Sequence, residues 1–441
     1  MQRLTGTLSC LTKAKVLLMG DLILDSYTFG KAKRISPEAP VAVLEVQREE
    51  QRAGGAGNVA LNLISLSSEV VLVGRIGDDN AGASLHYALN EEGVDLKGIF
   101  VQKDYQTPVK NRIIAENQQI VRIDHEKFTA LPLILEQEII DKLPTLIEGV
   151  SVVSISDYGK GFLTPKILST VIELANLRKI PISVDPKGMN FSKYRGSTLI
   201  KPNLKEAYGA SGLPEDAPLE LVAATLLKIT ESEMLMITRS EAGISCFYKN
   251  GTQEDFPVRV KEVKDVTGAG DTVLSMLSIA MACQIDMAHT IQFCNLAAGI
   301  AIERFGCARV SLSDLARRLL ECDFINKVFD EEHLFALQEA LKGRKIKLLG
   351  LSGENGLTTA IFSTINQLSS QEDFDLLVYI RDIEPDQEFI NVLASLQNVN
   401  FIILNTDNLR NLCNRIEPDE VYFLDGKQLS KLEHSASLFA V

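Results

Sequence analysis

The 441-residue sequence contains no tryptophan, and only 6% of its residues are aromatic. Proteins that bind single-stranded nucleic acid stack bases on aromatic side chains, so this composition argues against that class. Positive charge is also scarce: 45 lysines and arginines face 58 aspartates and glutamates, which leaves a net charge of −13. General nucleic-acid binders present a basic surface to phosphates, so the charge balance argues against a nucleic-acid partner.

Long hydrophobic runs and patterned cysteines are missing as well. A membrane span needs about 20 apolar residues. The most apolar segment, residues 272–302, is divided by Asp286 into two halves of helix length, which indicates a buried helix pair and no membrane partner. The first 15 residues lack the apolar core of a signal peptide. The seven cysteines form no CxxC pair and no Cys/His cluster, which argues against a disulfide framework or a zinc site. These absences predict a reduced, cytoplasmic protein.

What the sequence does contain is a regular alternation of short apolar runs and helically spaced segments over its first 200 residues. This rhythm predicts an α/β fold, a parallel sheet with helices on both faces. The predicted strands are residues 15–20, 41–47, 70–73, 109–115, 119–124, 150–156, 182–185 and 198–200. Ligands of such sheets bind beyond the carboxyl ends of the strands. The polar residues at three such ends are therefore candidate site residues: Asp157, Asp185 and Asn203.

A change of composition near residues 325–345 predicts a domain boundary. Residues 326–340 are acidic with helical spacing, and a basic stretch follows at 342–345. A second series of strands then begins at residues 346–349, 374–380, 400–404 and 420–423. Residues 331–441 hold 17 acids and 9 bases, so −8 of the net charge lies there. We predict one domain over 1–325, a linker over 326–345 and a small α/β domain over 346–441; a C-terminal extension of the first domain is the alternative.

The strongest local motif is Asp-Val-Thr-Gly-Ala-Gly-Asp at residues 265–271, which opens an apolar helix. Small residues at a helix start leave backbone N–H groups that point at one place, and with the helix dipole they form an anion site. Asp271 would repel that anion as a mere cap but suits a general base that faces an incoming hydroxyl. A glycine-rich turn with an N-terminal aspartate is an equal alternative. Neither a Walker A sequence nor GxGxxG occurs, so the usual P-loop and dinucleotide fingerprints are missing.

Three weaker motifs accompany it. Gly-Gly-Ala-Gly-Asn at residues 54–58 precedes a helix and permits close approach of a ligand to the backbone. Asn203 and Glu206 lie three apart, which suits either a hydrated Mg²⁺ ion or a helix capping box. Residues 238–243 lie between two strands and form either a nucleotide-contacting loop or a simple turn.

In this order the motifs resemble the ribokinase-like (PfkB) family of carbohydrate kinases, over roughly residues 10–320. In that family a Gly-Gly element comes early, Asn-x-x-Glu lies near the middle and an Asp-Thr-Gly-Ala-Gly-Asp type of signature comes late. The resemblance implies a three-layer α/β sandwich with a β lid, here about residues 27–50 and 108–124. The lid often pairs subunits in the family, which implies a homodimer.

Further motifs resemble the kinase half of the bifunctional heptose 7-phosphate kinases/heptose 1-phosphate adenylyltransferases, which act in ADP-heptose synthesis for the lipopolysaccharide core. These motifs are residues 20–27, 34–41 (Arg-Ile-Ser-Pro-Glu-Ala-Pro-Val), 117–119, 156–161, 185–188 and 195–196. The resemblance implies ATP-dependent phosphorylation of the anomeric hydroxyl of D-glycero-β-D-manno-heptose 7-phosphate to the 1,7-bisphosphate. The alternatives are a kinase of another sugar or sugar phosphate, an enzyme that is still bifunctional, and a non-catalytic sugar-phosphate sensor.

The resemblance also implies residue roles. Asp271 would be the base, and the transferring phosphoryl group would meet the amides of Gly268, Ala269 and Gly270. Mg²⁺ would be held through water by Asn203 and Glu206, and a monovalent cation such as K⁺ by Asp265 and Thr267. The residues that would border ATP are Thr238, Gly243 and Asn295. Those that would bind the sugar are Asp25, Gly55, Asn58 and Gln118. The candidates for its phosphate are Arg112, Arg122, Lys160 and Lys187, the two arginines being alternatively surface charges of a hairpin.

The second domain departs from the bifunctional pattern. In those enzymes an HxGH motif follows the first strand and its histidines stabilise the nucleotide phosphates. Here the first strand is followed by Gly-Leu-Ser-Gly-Glu-Asn-Gly-Leu, and no histidine occurs between His333 and His434. The chain also ends about where the late Ser/Thr-rich nucleotide-binding element would begin. We therefore expect a degenerate nucleotidyltransferase-like domain without adenylyl transfer, with dimerisation or regulation as open roles.

Overall fold

The computed structural model describes residues 4–11, 13–116, 118–257, 263–304, 306–322, 327–354, 356–370, 373–382, 384–404 and 409–432. The helices are α1 Leu4–Leu8, α2 Ala56–Ser65, α3 Asn80–Glu91, α4 Leu133–Leu146, α5 Pro165–Leu177, α6 Leu204–Ser211, α7 Leu219–Thr230, α8 Ala269–Ala282, α9 Met287–Ile302, α10 Leu312–Cys322, α11 Leu334–Leu341, α12 Thr359–Leu368, α13 Gln387–Ser395 and α14 Leu409–Ile416. Short 3-10 turns lie at Phe191–Tyr194, Ser240–Ala242 and Glu331–His333.

The strands are β1 Lys15–Gly20, β2 Leu22–Ile35, β3 Ala42–Gly55, β4 Glu69–Gly77, β5 Asp95–Gln102, β6 Val109–Ala115, β7 Gln118–His125, β8 Val152–Ser156, β9 Ile182–Asp185, β10 Leu199–Ile200, β11 Met234–Thr238, β12 Ile244–Tyr248, β13 Gln253–Phe256, β14 Val328–Phe329, β15 Lys345–Leu351, β16 Phe374–Ile380, β17 Phe401–Leu404, β18 Glu420–Asp425 and β19 Gln428–Lys431. They belong to two compact units. The large unit is Leu11–Ser311, and the small unit combines Met1–Cys10 with Leu312–Val441.

The large unit is built on a nine-stranded sheet in the order β13-β12-β11-β10-β9-β8-β1-β4-β5. Its strands from β11 to β5 are parallel, and β12 and β13 run antiparallel at one edge. Alternate residues of β8 face opposite sides. Val153 and Ile155 join a core cluster with α4 and α5, whereas Ser154 accepts a hydrogen bond from Ser278 of α8. Helices therefore cover both faces, and the predicted α/β sandwich is confirmed.

The lid is a separate four-stranded sheet in the order β3-β2-β6-β7. β2 and β3 form a long antiparallel ribbon, β2 pairs in parallel with β6, and β6 pairs antiparallel with β7. The predicted hairpin of residues 109–115 and 119–124 is thus confirmed. The base of the ribbon is buried beside the main sheet, but its outer half and all of β7 are exposed. Because β2 begins two residues after β1 ends, the lid starts at the carboxyl end of β1.

The apolar segment 272–302 forms most of two helices, α8 and α9, as predicted. Asp286 separates them because its side chain accepts a hydrogen bond from the His289 N–H and caps α9. Among the described residues, no helix is both long and apolar enough to span a bilayer. The six cysteines whose side chains are described are all free thiols.

The small unit contains a six-stranded sheet in the order β14-β17-β16-β15-β18-β19, parallel except for the final pair. One core cluster packs α11 and α14 against it, and a second packs α12 and α13 on alternate residues of the same strands. Our boundary at residue 325 falls inside this unit. The stretch predicted as a linker contains β14, which pairs with β17, and α11, whose Leu334, Leu337 and Leu341 are buried. The acidic residues of this stretch suggested a solvated linker, although its leucines form a buried apolar face.

Candidate active site

The buried carboxylate of Asp271 lies in the first turn of α8, where elements from distant parts of the chain meet. Its Oδ2 accepts a 2.7 Å hydrogen bond from Asn58 Nδ2, and its Oδ1 accepts a 2.6 Å bond from the Tyr158 hydroxyl. Asn58 is in the first turn of α2, and Tyr158 follows β8. The structure thus joins the predicted base to a predicted sugar ligand. It adds Tyr158, which belongs to a quoted motif but received no role from the sequence.

The surroundings of Asp271 move its pKa toward neutrality. Burial raises the pKa to about 6, and the nearby Asp185 carboxylate acts in the same direction. The hydrogen bonds from Asn58 and Tyr158 and the charge of Lys201 oppose this rise. A base with a pKa nearer to the working pH transfers protons more effectively, so this environment suits general base catalysis.

The glycine-rich turn before α8 fits closely against α2. Gly268 has φ 80°, and a Cβ added there would lie 2.8 Å from Asn58 Nδ2. Any side chain would therefore be strained and would push on the residue that holds Asp271. The amide of Ala269 donates to the Val266 carbonyl at 3.3 Å, so it takes part in the turn itself. The roles of Gly268, Ala269 and Gly270 in binding a phosphoryl group remain predictions.

A buried lysine that received no role in the sequence interpretation lies beside this turn. Lys201 is 3% exposed and forms an ion pair with Asp185, its Nζ 2.9 Å from Oδ2. A Cβ added at Gly270 would lie 3.8 Å from both of these atoms. The strand-end residue Asp185, predicted to belong to the site, therefore does reach it. The ion pair thus places the Lys201 ammonium and the Asp185 carboxylate equally close to the predicted anion site.

The base of the lid contains a buried ion pair. Arg112 Nη1 of β6 lies 2.5 Å from Asp25 Oδ1 of β2, and both side chains are almost inaccessible. The Cys307 thiol donates to the other Asp25 oxygen at 3.4 Å. A Cβ at Gly54 would lie 2.1 Å from that oxygen, so Asp25 can hold this position only beside a glycine. Gly55, with φ 57°, caps α2 next to it. The reading of Arg112 as a surface charge is therefore wrong.

The other basic candidates near the lid divide into two kinds. Arg122 does lie on the surface, where its guanidinium binds the Asp124 carboxylate through bonds of 2.8 and 2.9 Å. Lys160 is half-buried and forms an ion pair with Glu126, its Nζ 2.6 Å from Oε2. Lys110, which sequence reasoning missed, lies 5.8 Å from the centre of the Tyr158 ring. Burial and the neighbouring positive charge of Lys160 lower the pKa of Lys110. Two half-buried ammonium groups thus lie close together near Tyr158.

The remaining predicted residues lie on the exposed lid hairpin or directly after β8. Gln118 is exposed at the start of β7, paired with Ala115 across the hairpin. Asn117 of the same motif lies outside the described residues. Asp157, the remaining strand-end candidate, accepts bonds of 2.6 Å from both Lys193 and Tyr194 and therefore secures the neighbouring chain.

Asn203 and Glu206 form the capping box that was one of the two interpretations. The Glu206 N–H donates to Asn203 Oδ1 at 2.9 Å, and the Asn203 N–H donates to Glu206 Oε2 at 3.1 Å. The second carboxylate oxygen, Oε1, meets Lys187 Nζ at 2.7 Å. Lys187 thus accompanies the predicted magnesium ligands. These oxygen donors are of the kind Mg²⁺ prefers, and the lysine shows that Glu206 can present an oxygen to a cation.

Thr238 lies beside this capping box. It forms a parallel bridge with Asn203, and its N–H donates to the Pro202 carbonyl at 3.1 Å. Gly243, with φ 86°, closes the turn in which the Arg239 N–H donates to its carbonyl at 2.8 Å. Asn295 is half-buried on α9. The structure therefore brings Thr238 to the predicted magnesium ligands, and contact with a nucleotide remains a prediction.

Asp265 joins the turn before α8, which contains Thr267, to the loop after α9. Asp265 Oδ1 accepts from the Thr267 N–H at 2.9 Å and from its hydroxyl at 2.7 Å, while Oδ2 accepts from the Gly306 N–H at 2.9 Å. Burial acts to raise the pKa of Asp265, but these bonds outweigh it and hold the pKa below its usual value. The carboxylate therefore stays ionised, as a cation ligand must. Among the described residues, no three His, Cys, Asp or Glu side chains form a metal cluster.

The nine-stranded sheet with helices on both faces and the four-stranded lid together have the ribokinase-like fold. Two solved structures share this fold: ribokinase from Arabidopsis thaliana complexed with ribose and ATP, and phosphofructokinase-2 from Escherichia coli in complex with potassium. Their TM-scores are 0.57 and 0.60, each at 18% sequence identity, and each match covers 70% of this chain and 99% of the other.

Sequence comparison places the chain within a family. The model of the pfkB family carbohydrate kinases matches residues 13–315, and the chain belongs to this family. A protein of Trichlorobacter lovleyi named bifunctional protein HldE is 44% identical over 338 residues, which cover 75% of this chain and 69% of the relative. A protein of the same name from Geotalea uraniireducens is 39% identical over 409 residues, 88% of this chain and 83% of the relative. The resemblance inferred from the motifs is confirmed.

Proposed function

We propose that this protein transfers the γ-phosphoryl group of ATP to the anomeric hydroxyl of D-glycero-β-D-manno-heptose 7-phosphate and forms the 1,7-bisphosphate. The observation that carries this proposal is the buried Asp271 carboxylate, joined to Asn58 of the glycine-rich element and facing the predicted phosphoryl site. The relatives named bifunctional protein HldE support the heptose assignment. The reaction would supply ADP-heptose synthesis in the cytoplasm.

In the proposed reaction Asp271 accepts the proton of the sugar hydroxyl as its oxygen attacks the γ-phosphorus. The bond from that phosphorus to the ADP oxygen breaks, and ADP leaves. Lys201 and the amides at the start of α8 stabilise the negative charge on the transferring group. Asn203 and Glu206 would hold Mg²⁺ through water molecules, and the ion would neutralise charge on the nucleotide phosphates. Asp265 and Thr267 would lie beside a K⁺ ion, and Thr238, Gly243 and Asn295 would border the nucleotide.

The phosphate of the sugar would bind between the lid and the loop after β8. Lys160 and Lys110 are both half-buried there: burial is the main cause of the lowered pKa of Lys110, and repulsion by the positive charge of Lys160 adds to it. A dianionic phosphate would relieve this repulsion. Arg122, close enough to contribute to the same field, is held by Asp124 at the rim. We therefore assign the phosphate to the two lysines, and we assign Arg112 to fixing Asp25.

The test is ADP formation from ATP with a matched set of acceptors: heptose 7-phosphate, the same heptose without phosphate, and hexose and pentose phosphates. Two charge-assisted contacts of about 1.5–3 kcal/mol each predict at least a ~100-fold higher kcat/KM for the phosphorylated heptose than for the free heptose. Equal rates for both heptoses would refute the phosphate site. Preference for a hexose or pentose phosphate would refute the heptose assignment, and no turnover with any acceptor would favour a sensor.

We further propose that the small unit does not transfer adenylyl groups. The loop after β15, which lacks the HxGH histidines, is bound to a carboxylate: Asp382 accepts from Ser352 Oγ at 2.7 Å and from the Gly353 N–H at 2.5 Å. A negative charge at this loop opposes the binding of a nucleotide phosphate. The packing of the loop is also tight, because a Cβ added at Gly353 would lie 2.5 Å from Phe389 Cδ1.

Incubation of the full chain with heptose 1-phosphate and ATP is therefore expected to release no pyrophosphate above the enzyme-free rate. The kinase reaction of the same preparation is the control for folded protein. Sustained formation of ADP-heptose and pyrophosphate would show that the protein is bifunctional, as the names of its relatives describe them.

We also propose a homodimer that forms through the lid. Apolar side chains are exposed on its strands and on the turn between β2 and β3. A group of exposed apolar side chains is typical of a surface that binds another protein. These residues are Ile35, Val41, Val46, Ile120, Val121 and Ile123. Pairing of two such ribbons would bury them.

A further inference from the structure

The loop after β8, residues 157–162, is fixed from below by a buried carboxylate. Asp21, 2% exposed and adjacent to the end of β1, accepts backbone hydrogen bonds from Tyr158 and Lys160, each at 3.0 Å. A third bond comes from the Phe162 N–H at 3.4 Å. The loop amides thus converge on one side chain, much as amides converge on a bound anion. Neither Asp21 nor this arrangement was predicted from the sequence.

A buried arginine also holds this loop, through the carbonyl group of Lys160. Arg75 of β4 is 1% exposed, and its Nη2 donates to the carbonyls of Lys160 at 2.6 Å and of Thr129 at 2.8 Å. The Arg75 guanidinium also lies over the Tyr105 ring, with its Cζ 3.9 Å from the ring centre. Buried charges are costly unless they are fully hydrogen-bonded. Asp21 bonds to three amides of this six-residue loop and Arg75 to one of its carbonyls, which implies that the position of the loop matters for function.

What the loop places is the Tyr158 hydroxyl, 2.6 Å from Asp271 Oδ1. With Asn58 on Oδ2, each oxygen of the carboxylate has one fixed donor, and each oxygen can still accept a second bond. We propose that Tyr158 is a positioning residue for the phosphoryl-transfer reaction: its hydroxyl fixes the Asp271 carboxylate in the orientation and ionised form that receive the sugar proton. This inference rests on the proposed function, since it assigns a second residue to the same base.

The charged and titratable groups around Asp271 determine the sign of the effect. They are Tyr158 after β8, Asp185 at the end of β9, Lys201 after β10 and Cys307 after α9. The Tyr158 bond lowers the pKa of Asp271, so its removal raises that pKa and leaves more of the base protonated near neutral pH. Desolvation and the Asp271 charge raise the pKa of Tyr158 itself far above 10, so it remains a donor throughout the working range.

The experiment is the pH profile of kcat/KM for Tyr158→Phe. The hydrogen bond from Tyr158 favours the charged form of Asp271, so without it the acid limb is expected to move about one unit or more to higher pH, with activity largely recovered above it. Tyr194→Phe is the matched control: it also removes a buried hydroxyl bonded to a carboxylate, Asp157, and its acid limb is expected to stay at the wild-type pH.

A second readout is independent of catalysis. Carbon-13 NMR titration of the Asp271 carboxyl carbon gives its pKa directly in the wild type and in Tyr158→Phe. An upward shift in the variant supports the positioning role even if the wild type phosphorylates no heptose, in which case the proposed function alone fails. An unchanged Asp271 pKa together with an unchanged acid limb would overturn the role of Tyr158 and leave the proposed function standing.

Discussion

Asp271→Asn is expected to lower kcat for sugar phosphorylation by about 10²–10⁴-fold, the usual contribution of a general base. The amide has nearly the shape of the carboxylate and can still accept the Tyr158 hydroxyl bond, but it cannot take up the proton of the attacking hydroxyl. Apart from the amides at the start of α8, the predicted ligands of the nucleotide lie on other elements, at Asn203, Thr238 and Gly243. ATP affinity, measured by calorimetry, should therefore stay within about threefold of the wild type.

Asp216→Asn is the control for this substitution, because Asp216 is an exposed aspartate between α6 and α7. It should have wild-type kcat and ATP affinity. If Asp271→Asn turned over sugar near the wild-type rate, Asp271 would not be the base. Parallel loss of ATP binding would instead assign Asp271 to the nucleotide site.

Arg112→Leu is expected to lower the free energy of unfolding by about 3 kcal/mol or more. Removing one member of a buried ion pair leaves the other charge uncompensated, and the Asp25 carboxylate would keep only the weak Cys307 thiol and its backbone surroundings. Urea denaturation followed by circular dichroism measures this loss. In the folded fraction KM for the sugar should rise, because Asp25 loses the partner that orients it.

Arg122 offers a matched control because it lies directly opposite Arg112 in the β6–β7 pairing. Its ion pair with Asp124 is solvent-exposed, and such pairs contribute about 0–1 kcal/mol. Arg122→Leu should therefore change the unfolding free energy by less than about 1 kcal/mol. Equal losses for the two variants would contradict the distinction between a buried structural pair and a surface pair.

The parts of the fold that followed from the sequence were those with strong local signals. Short apolar runs bounded by polar residues identified β1, β8 and β9, because strands buried on both faces leave a continuous hydrophobic run. The motif before α8 identified Asp271 in the same local way. The start of the small unit at Leu312 was not predicted. The acidic residues near 331 suggested a linker, although α11 there carries three buried leucines.

The contacts that define the site were less accessible, because they join residues far apart in the chain. Tyr158 and Asp271 are separated by 113 positions, and Asp25 and Cys307 by 282. No local pattern reports such a pairing. Lys110 was hidden for another reason: on an alternating lid strand, a half-buried lysine has the same sequence signature as a solvated one.

The central claim, phosphorylation of a sugar phosphate at its anomeric position, is tested most directly by phosphorus-31 NMR of the reaction of the full chain with ATP, Mg²⁺ and heptose 7-phosphate. We predict a new phosphomonoester signal coupled to the anomeric proton, with the 7-phosphate signal retained and ADP formed in equal amount. ATP consumption without that signal, or a new phosphate on a different carbon, would contradict the account.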